Sequence, residues 1–201
     1  YKDFAGGANI KVGDQVSVGK LNFERQIKHV ASGEISKTST DAIKGSQLYA
    51  VAKQIDADKT HYYSVNDNGT PQNNYNNDGA TGVNSMAAGT GAQSGTNRSV
   101  AIGNQAKATT DTSNPKVGPN PSNHSGLIAV GDNAQALNDK AVAIGQDSET
   151  KGYHAVAVGV KAHAEDNSAV AVGNSATSLL TNGVAVGRSA QSDASNGTAI
   201  G

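Results

Sequence analysis

A fourteen-residue repeat fills the second half of this chain, and it constrains the fold more than any other feature. A short phrase of alanine and β-branched residues that ends in glycine recurs from residue 85 onward, as in Ala155-Val-Ala-Val-Gly159. The closing glycines are Gly89, Gly103, Gly131, Gly145, Gly159, Gly173, Gly187 and Gly201. Their interval is constant, except that it doubles between Gly103 and Gly131. A fixed period of this kind indicates like units stacked in one direction.

Each unit contains two strand signals and two turn signals. The alternation of Val or Ile with Ala has a period of two, which is typical of a β-strand. A second short phrase, such as Ala162-His-Ala164, follows the glycine. Gly, Asn, Asp and Ser between the phrases favour turns. One period therefore predicts one coil of a parallel β-solenoid, in which like strands stack about 4.8 Å apart.

The doubled interval predicts an insertion in the solenoid. Residues 109–125 contain Pro115, Pro119 and Pro121, three of the four prolines of the chain. Proline has no amide hydrogen to donate to a sheet ladder, so we expect this segment to leave the solenoid as a loop that replaces one coil. Such a loop either carries function or is tolerated without one.

Composition excludes several classes of protein. Leu, Ile, Val and Phe make up 35 of the 201 residues, fewer than an ordinary globular core requires. The net charge of −1 is too small for a charged, disordered chain. The absence of cysteine excludes a disulfide scaffold, a thiol nucleophile and a thiolate metal site. Charge is spread evenly, and without a basic patch we expect no nucleic-acid partner.

Two ladders of Val and Ile are predicted to form the structural core of the repeat. Each coil contributes only two of these side chains, which is little apolar area against the entropy of ordering a whole coil. A single column is therefore marginal, and we expect columns to associate side by side, with one row of side chains facing inward and its opposite facing another subunit. The predicted core residues are Val100, Ile102, Val142, Ile144, Val156, Val158, Val170, Val172, Val184 and Val186.

Residues 46–57 carry a helical pattern instead. Leu48, Val51 and Ile55 follow the spacing of one helix face, and Ser46 is the predicted N-cap. A helix of this length is unstable alone in water, so we expect it to begin a coiled coil with partner chains. After it, turn signals such as Asn68-Gly69 predict an extended connector with one or two strands.

Two stretches of the chain resemble the trimeric autotransporter adhesins. The run from Glu24-Arg-Gln-Ile27 to Gly33, and the run from Ser39 to Tyr49, are similar to the neck of that family. The repeated phrases are similar to its YadA-type head repeat. The resemblance covers about residues 15–57 and 84–201. It implies a neck that includes Arg25, Ile27, Val30, Asp41, Gly45, Ser46, Gln47, Leu48, Val51 and Ile55.

The resemblance implies a mainly β fold in which three left-handed parallel β-rolls form a trimer. The left-handed sense rests on the resemblance alone, because crossover connections are usually right-handed. The implied organisation is the end of a preceding head segment (1–23), a neck with a short coiled-coil helix (24–57), an extended connector (58–83) and a head (84–201) with the insertion at 109–125. It also implies a bacterial cell-surface protein held in the outer membrane by a domain that this sequence lacks, and we therefore expect a fragment.

No catalytic, metal or cofactor site is predicted. The five histidines share no metal-ligand spacing, and His154 and His163 fall at different phases of the coil. Ser, His and Asp are plentiful, but composition without a rigid pocket does not predict a catalytic triad. A β-helical enzyme, such as an acyltransferase or a polysaccharide lyase, is an alternative, but such enzymes have longer coils and a polar cleft.

The favoured function is adhesion by a homotrimeric rod that binds host extracellular matrix proteins or cell receptors. The resemblance implies ligands such as collagen, fibronectin or laminin, and three copies of each weak contact would multiply affinity. The alternative is a structural spacer that displays a more distal binding head. The sequence assigns no receptor-binding residue. It offers exposed candidates for ligand contact, for which surface solubility is the favoured alternative explanation. These are Lys107, Lys116, His124, Lys140, Lys151 and His163.

Overall fold

The structure is a computed structural model that describes residues 18–59, 64–114 and 125–201. It divides into two units, Tyr1–Tyr63 and Ser64–Gly201, which are described separately. Most of the predicted preceding head segment lies outside the described residues, as do Lys116, His124 and the middle of the insertion. No helix of the described residues is both long and apolar enough to cross a membrane.

The first unit contains helix α1, at Gly45–Ala57. Its N-cap is Lys44, so the prediction of Ser46 as N-cap is wrong. The Lys44 amide at the helix start donates to Oε1 of Gln47 at 3.2 Å. A glutamine at the third helical position can reach back and accept from the amide of the capping residue. The helix therefore begins earlier than predicted, and Ser46 is its second residue.

Nothing between residues 18 and 59 is buried in the single chain. The predicted helix seam is open to solvent, with Leu48, Val51 and Ile55 exposed by 67%, 48% and 64%. A short helix gains most of its stability from packing of its apolar face. This helix therefore needs an apolar partner surface, which a coiled coil with other chains would provide.

The second unit is a parallel β-solenoid of about eight coils, as predicted. Its described strands are β1 (Met86–Ala88), β2 (Gln93–Ser94), β3 (Val100–Ile102), β4 (Lys107–Ala108), β5 (Ile128–Val130), β6 (Gln135–Ala136), β7 (Val142–Ile144), β8 (Glu149–Thr150), β9 (Val156–Val158), β10 (His163–Ala164), β11 (Val170–Val172), β12 (Thr177–Ser178), β13 (Val184–Val186), β14 (Gln191–Ser192) and β15 (Thr198–Ile200). The odd-numbered strands form an eight-stranded sheet and the even-numbered strands a seven-stranded sheet, each in sequential order.

The register advances by one repeat from rung to rung. Val156 pairs with Val142 on one side and with Val170 on the other. The insertion does not interrupt this ladder, because β3 pairs directly with β5 and places Val100 opposite Ile128. The described start of the insertion stays on the solenoid instead of leaving it at once, because the Thr109 amide donates to Ala136 O at 3.2 Å and the Asp111 amide donates to Leu137 O at 2.9 Å.

Alanine fills most of the interior of each coil. Ala157 and Ala171 in the long strands are fully buried, and Ala164 in a short strand is nearly so. Successive side chains point to opposite faces of a strand, so the central alanine points inward while its Val or Ile neighbours point outward. Those neighbours are half-buried or exposed, with Ile144 exposed by 39%. The ten Val and Ile residues thus lie outside the single coil, and their assignment to a structural core stays a prediction about contacts between chains.

The corners of each coil need left-handed backbone. In one coil, Lys161 and Ser168 have φ of 57° and 54°. This conformation costs an L-residue about 1–2 kcal/mol. The ladder between coils continues through both corners, since the Lys161 amide donates to Gln146 O at 2.8 Å and the Ser168 amide donates to Tyr153 O at 2.7 Å. Stacking thus stabilises turns that would be unfavourable in an isolated coil.

The later part of the predicted connector packs on the first coil. Asn74 Nδ2 donates to Gly89 O at 2.7 Å, and Asn74 Oδ1 accepts from the Gly91 amide at 2.6 Å. Ala80 forms a parallel bridge with Ser94, at the edge of the seven-stranded sheet. This segment is turned rather than extended, and it covers an edge that would otherwise be open for pairing with other strands.

Candidate functional site

The solenoid presents two outward surfaces of opposite chemistry. The apolar face comprises the outward Val and Ile residues of the eight-stranded sheet. These are Val100, Ile102, Ile128, Val130, Val142, Ile144, Val156, Val158, Val170, Val172, Val184 and Val186. The in-register ladder joins them into one continuous stripe. A stripe of this size is typical of a surface that another chain covers.

The polar face is the outward surface of the seven-stranded sheet. Its first strand positions carry Gln93, Lys107, Gln135, Glu149, His163, Thr177 and Gln191, and each lies beside the next in register. The second position of each short strand points into the coil and is buried alanine, serine or threonine. The inward positions must carry small side chains to fit the interior. The outward positions have no such limit, so their residues can differ from coil to coil.

Four residues of two adjacent coils form a charged cluster on the polar face: Glu149, Lys151, His163 and Glu165. Lys151 Nζ lies 3.0 Å from Glu149 Oε2 and 3.2 Å from Glu165 Oε1. His163 Nδ1 lies 3.3 Å from the same Glu149 oxygen and 3.8 Å from the same Glu165 oxygen. The four groups converge although more than one full coil of chain separates the first from the last.

The coil geometry positions these side chains. Glu149 and His163 open successive short strands and pair in register. Lys151 and Glu165 follow two residues later, on the same outward side of their coils. The Lys151 amide donates to Ala164 O at 3.0 Å, which holds the two coils together beside the cluster.

The carboxylates of the charged cluster change the pKa of Lys151. Burial alone would lower the pKa of Lys151, but hydrogen bonds to Glu149 and Glu165 and the attraction of their charges outweigh it. The pKa of Lys151 is therefore raised above its usual value. The two glutamates form a cradle that favours a cation.

The predicted surface residues have different surroundings. Lys140 is exposed, and its Nζ lies 3.3 Å from the Tyr153 hydroxyl. Lys107 is half-buried on the polar face, whereas Lys151 and His163 belong to the charged cluster. The two glutamates of that cluster were not identified from the sequence, because the histidines were compared in spacing only with one another. The available signal was the repeat itself, because Glu149 precedes His163 by one full period.

Two of the predicted neck residues make specific contacts in the first unit. Gln47 Nε2 donates to Gly33 O at 2.7 Å, and Gln47 Oε1 accepts from the Gly33 amide at 3.2 Å. Asp41 Oδ2 accepts from the Glu34 amide at 2.9 Å. The Gln47 bonds hold Gly33 against the first turn of α1, whereas the Asp41 bond joins two residues of the segment before the helix. The apolar neck residues Ile27 and Val30 are exposed in the single chain.

Replacing Gln47 by alanine is expected to destabilise the neck. The change removes a side chain that pairs with both backbone groups of Gly33 and caps α1, at about 1–3 kcal/mol per chain. The measurement is the thermal unfolding midpoint of the protein. Gln54→Ala is the matched control, because Gln54 is exposed and its side chain donates to the exposed Asp58 at 2.7 Å. Equal unfolding midpoints for the two variants would contradict the prediction.

Both parts of the chain match known families. Residues 26–71 match the coiled stalk of trimeric autotransporter adhesin. Five stretches match the YadA head domain repeat, and together they cover about half of the chain. These are residues 80–106, 97–113, 128–148, 151–176 and 181–201. The stalk match extends beyond the predicted neck into the predicted connector.

A curated relative supports the same assignment. The chain is 52% identical over 56 residues to Autotransporter adhesin BtaE of Brucella suis biovar 1 (strain 1330). The match covers 28% of this chain and 7% of that protein, so the chain spans only a small part of the relative's length.

Proposed function

Because the chain belongs to the trimeric autotransporter adhesins, we propose that it is a homotrimeric segment of a bacterial surface adhesin that binds host extracellular matrix proteins or cell receptors. Family membership implies a non-enzymatic role and a location at the cell surface in association with the outer membrane. The anchor to that membrane, the left-handed sense of the coils and the identity of the host ligand are parts of this proposal.

The observation that carries the proposal is the uncovered apolar face. It runs from β3 to β13 along one sheet and stays open to solvent in the single chain. Small side chains, mostly alanine, fill the narrow interior, so the coil gains little from its own core. In a trimer, the apolar faces of three chains would pack on one another and exclude this area from water.

In such a trimer, the polar face would lie on the outside. Its outward residues are polar or charged side chains in register, and each would occur three times around a trimer. Repetition along and around the rod lets several weak contacts act together, which raises avidity without a deep pocket. Such a surface fits an extended host protein with repeating features.

The solution mass of this chain and its binding to immobilised collagen, fibronectin and laminin test the proposal. We expect a mass of about three times the 20.3 kDa of one chain, and saturable binding to at least one of the three proteins. A folded monomer with native strand content would overturn the trimer. A trimer that binds none of the three, while a longer piece of the protein binds one, would favour a spacer.

The spacer is the second candidate function. In that role the rod would hold the binding surface of another segment away from the cell. The match to only 7% of the relative favours it, because most of such a protein would lie elsewhere. The rod would then contribute length and rigidity from its stacked coils.

A further inference from the structure

We propose that Glu149, His163 and Glu165 bind a divalent transition-metal ion such as Zn²⁺ on the polar face, in the place that Lys151 Nζ now occupies. The proposal goes beyond adhesion and does not depend on it. All four residues belong to one chain, so the site is complete without a partner subunit.

The ligand atoms already lie close to metal-binding geometry. One oxygen of each glutamate and a ring nitrogen of His163 all lie within 4.8 Å of one another. His163 Nδ1 is 3.3 Å from one of these oxygens and 3.8 Å from the other. Zn–N and Zn–O bonds of about 2.0–2.2 Å place the ligand atoms of a tetrahedral site about 3.4 Å apart. Small side-chain rotations are therefore enough to enclose an ion.

A cation already stands between these ligands. Lys151 Nζ contacts the same Glu149 and Glu165 oxygens that face His163, at 3.0 Å and 3.2 Å. The lysine side chain is 39% exposed and sits on a flexible stem, so it can turn into water. Two carboxylates and one ammonium leave one negative charge. A divalent ion in place of the ammonium neutralises both carboxylates.

The donor set selects the class of metal. One imidazole nitrogen and two carboxylate oxygens suit Zn²⁺ and its first-row neighbours, whereas Ca²⁺ and Mg²⁺ prefer six or more oxygen ligands. The ligands come from adjacent coils: Glu149 lies in β8, His163 in β10 and Glu165 directly after β10. A bound ion would therefore link two rungs of the solenoid and raise the unfolding temperature of the native state.

Calorimetric titration of the intact chain with Zn²⁺ tests the site. We expect one ion per chain, little competition from Ca²⁺ or Mg²⁺, and a rise in unfolding temperature with zinc. His163→Gln, Glu149→Gln and Glu165→Gln should each weaken binding about tenfold or more. His154→Gln is the matched control, because His154 lies on a neighbouring turn against Tyr153 and outside the cluster. It should bind zinc like the unaltered chain.

Lys151→Met gives the most specific result. Removing the competing ammonium should tighten zinc binding several-fold, while His163→Gln in that background should abolish the gain. Far-UV circular dichroism and the solution mass of each variant show whether it is still folded, so that a loss of folding is not mistaken for a loss of zinc binding. Binding that is absent in the unaltered chain, survives His163→Gln, or is displaced equally by Ca²⁺ would overturn the proposal. None of these outcomes would change the oligomeric state, so adhesion is tested independently.

Discussion

Replacing Val158 by aspartate is expected to abolish the proposed trimer. Val158 lies near the middle of the apolar face, in register with Ile144 and Val172. If three apolar faces pack together, three added carboxylates would lose water close to one another, at a cost above about 4 kcal/mol per chain. The solution mass should fall toward that of one chain, or strand content should be lost.

Thr177→Asp is the matched control for this prediction. Thr177 has nearly the size and branching of valine but lies on the polar face, beside His163. An aspartate there remains in water, so mass and unfolding temperature should change little. In the single chain Val158 is itself only half-buried, so its replacement would also be mild without assembly. A Val158→Asp trimer of unchanged stability would show that the apolar face is not the interface.

Replacing Gly159 by alanine is expected to disrupt the solenoid at its centre. Gly159 has φ of 135°, which L-residues rarely adopt, and an added Cβ would lie 2.4 Å from Gly173 O in the next coil. The same glycine recurs in every rung, so the neighbouring backbone has no room to move away. Backbone strain and overpacking together should lower the free energy of unfolding by about 2–6 kcal/mol. The measurement is the unfolding temperature, which should fall.

Gly69→Ala separates backbone strain from steric conflict. Gly69 has φ of 71°, but no atom lies within 4 Å of an added Cβ. Only the conformational cost remains there, about 1–2 kcal/mol. Gly159→Ala should therefore destabilise the chain clearly more than Gly69→Ala does. Similar effects of the two variants would show that the stacked glycines do not limit the distance between coils.

The N-cap and the charged cluster show where local patterns stop being informative. Ser46 is a favourable capping residue by type, but Gln47 reaches back to Lys44 and to the more distant Gly33. His163 has no ligand partner at a familiar sequence spacing. His163 lies beside Glu149 because residues one period apart pair in adjacent coils. The cluster can therefore be predicted only after the repeat has been folded into stacked coils.

The sequence alone determined the repeat architecture. Alternating Val and Ala, glycine at a fixed interval and turn residues between them are local signals, and together they specify strands, corners and rungs without knowledge of distant contacts. The doubled interval does not specify which strand follows β3 in the sheet, and the pairing of Val100 with Ile128 is seen only in the structure.

Only the tertiary structure decided which side of each strand is the interior. The alternation of alanine with Val or Ile gives each strand an alanine face and a β-branched face. The sequence alone permits either face to point into the coil. The close approach of the two sheets favours side chains as small as alanine, so Ala157 is enclosed and Val156 and Val158 are left outside. The width of the coil depends on both sheets at once, and it therefore leaves the Val and Ile side chains of the long strands on the outside, where another chain could bury them.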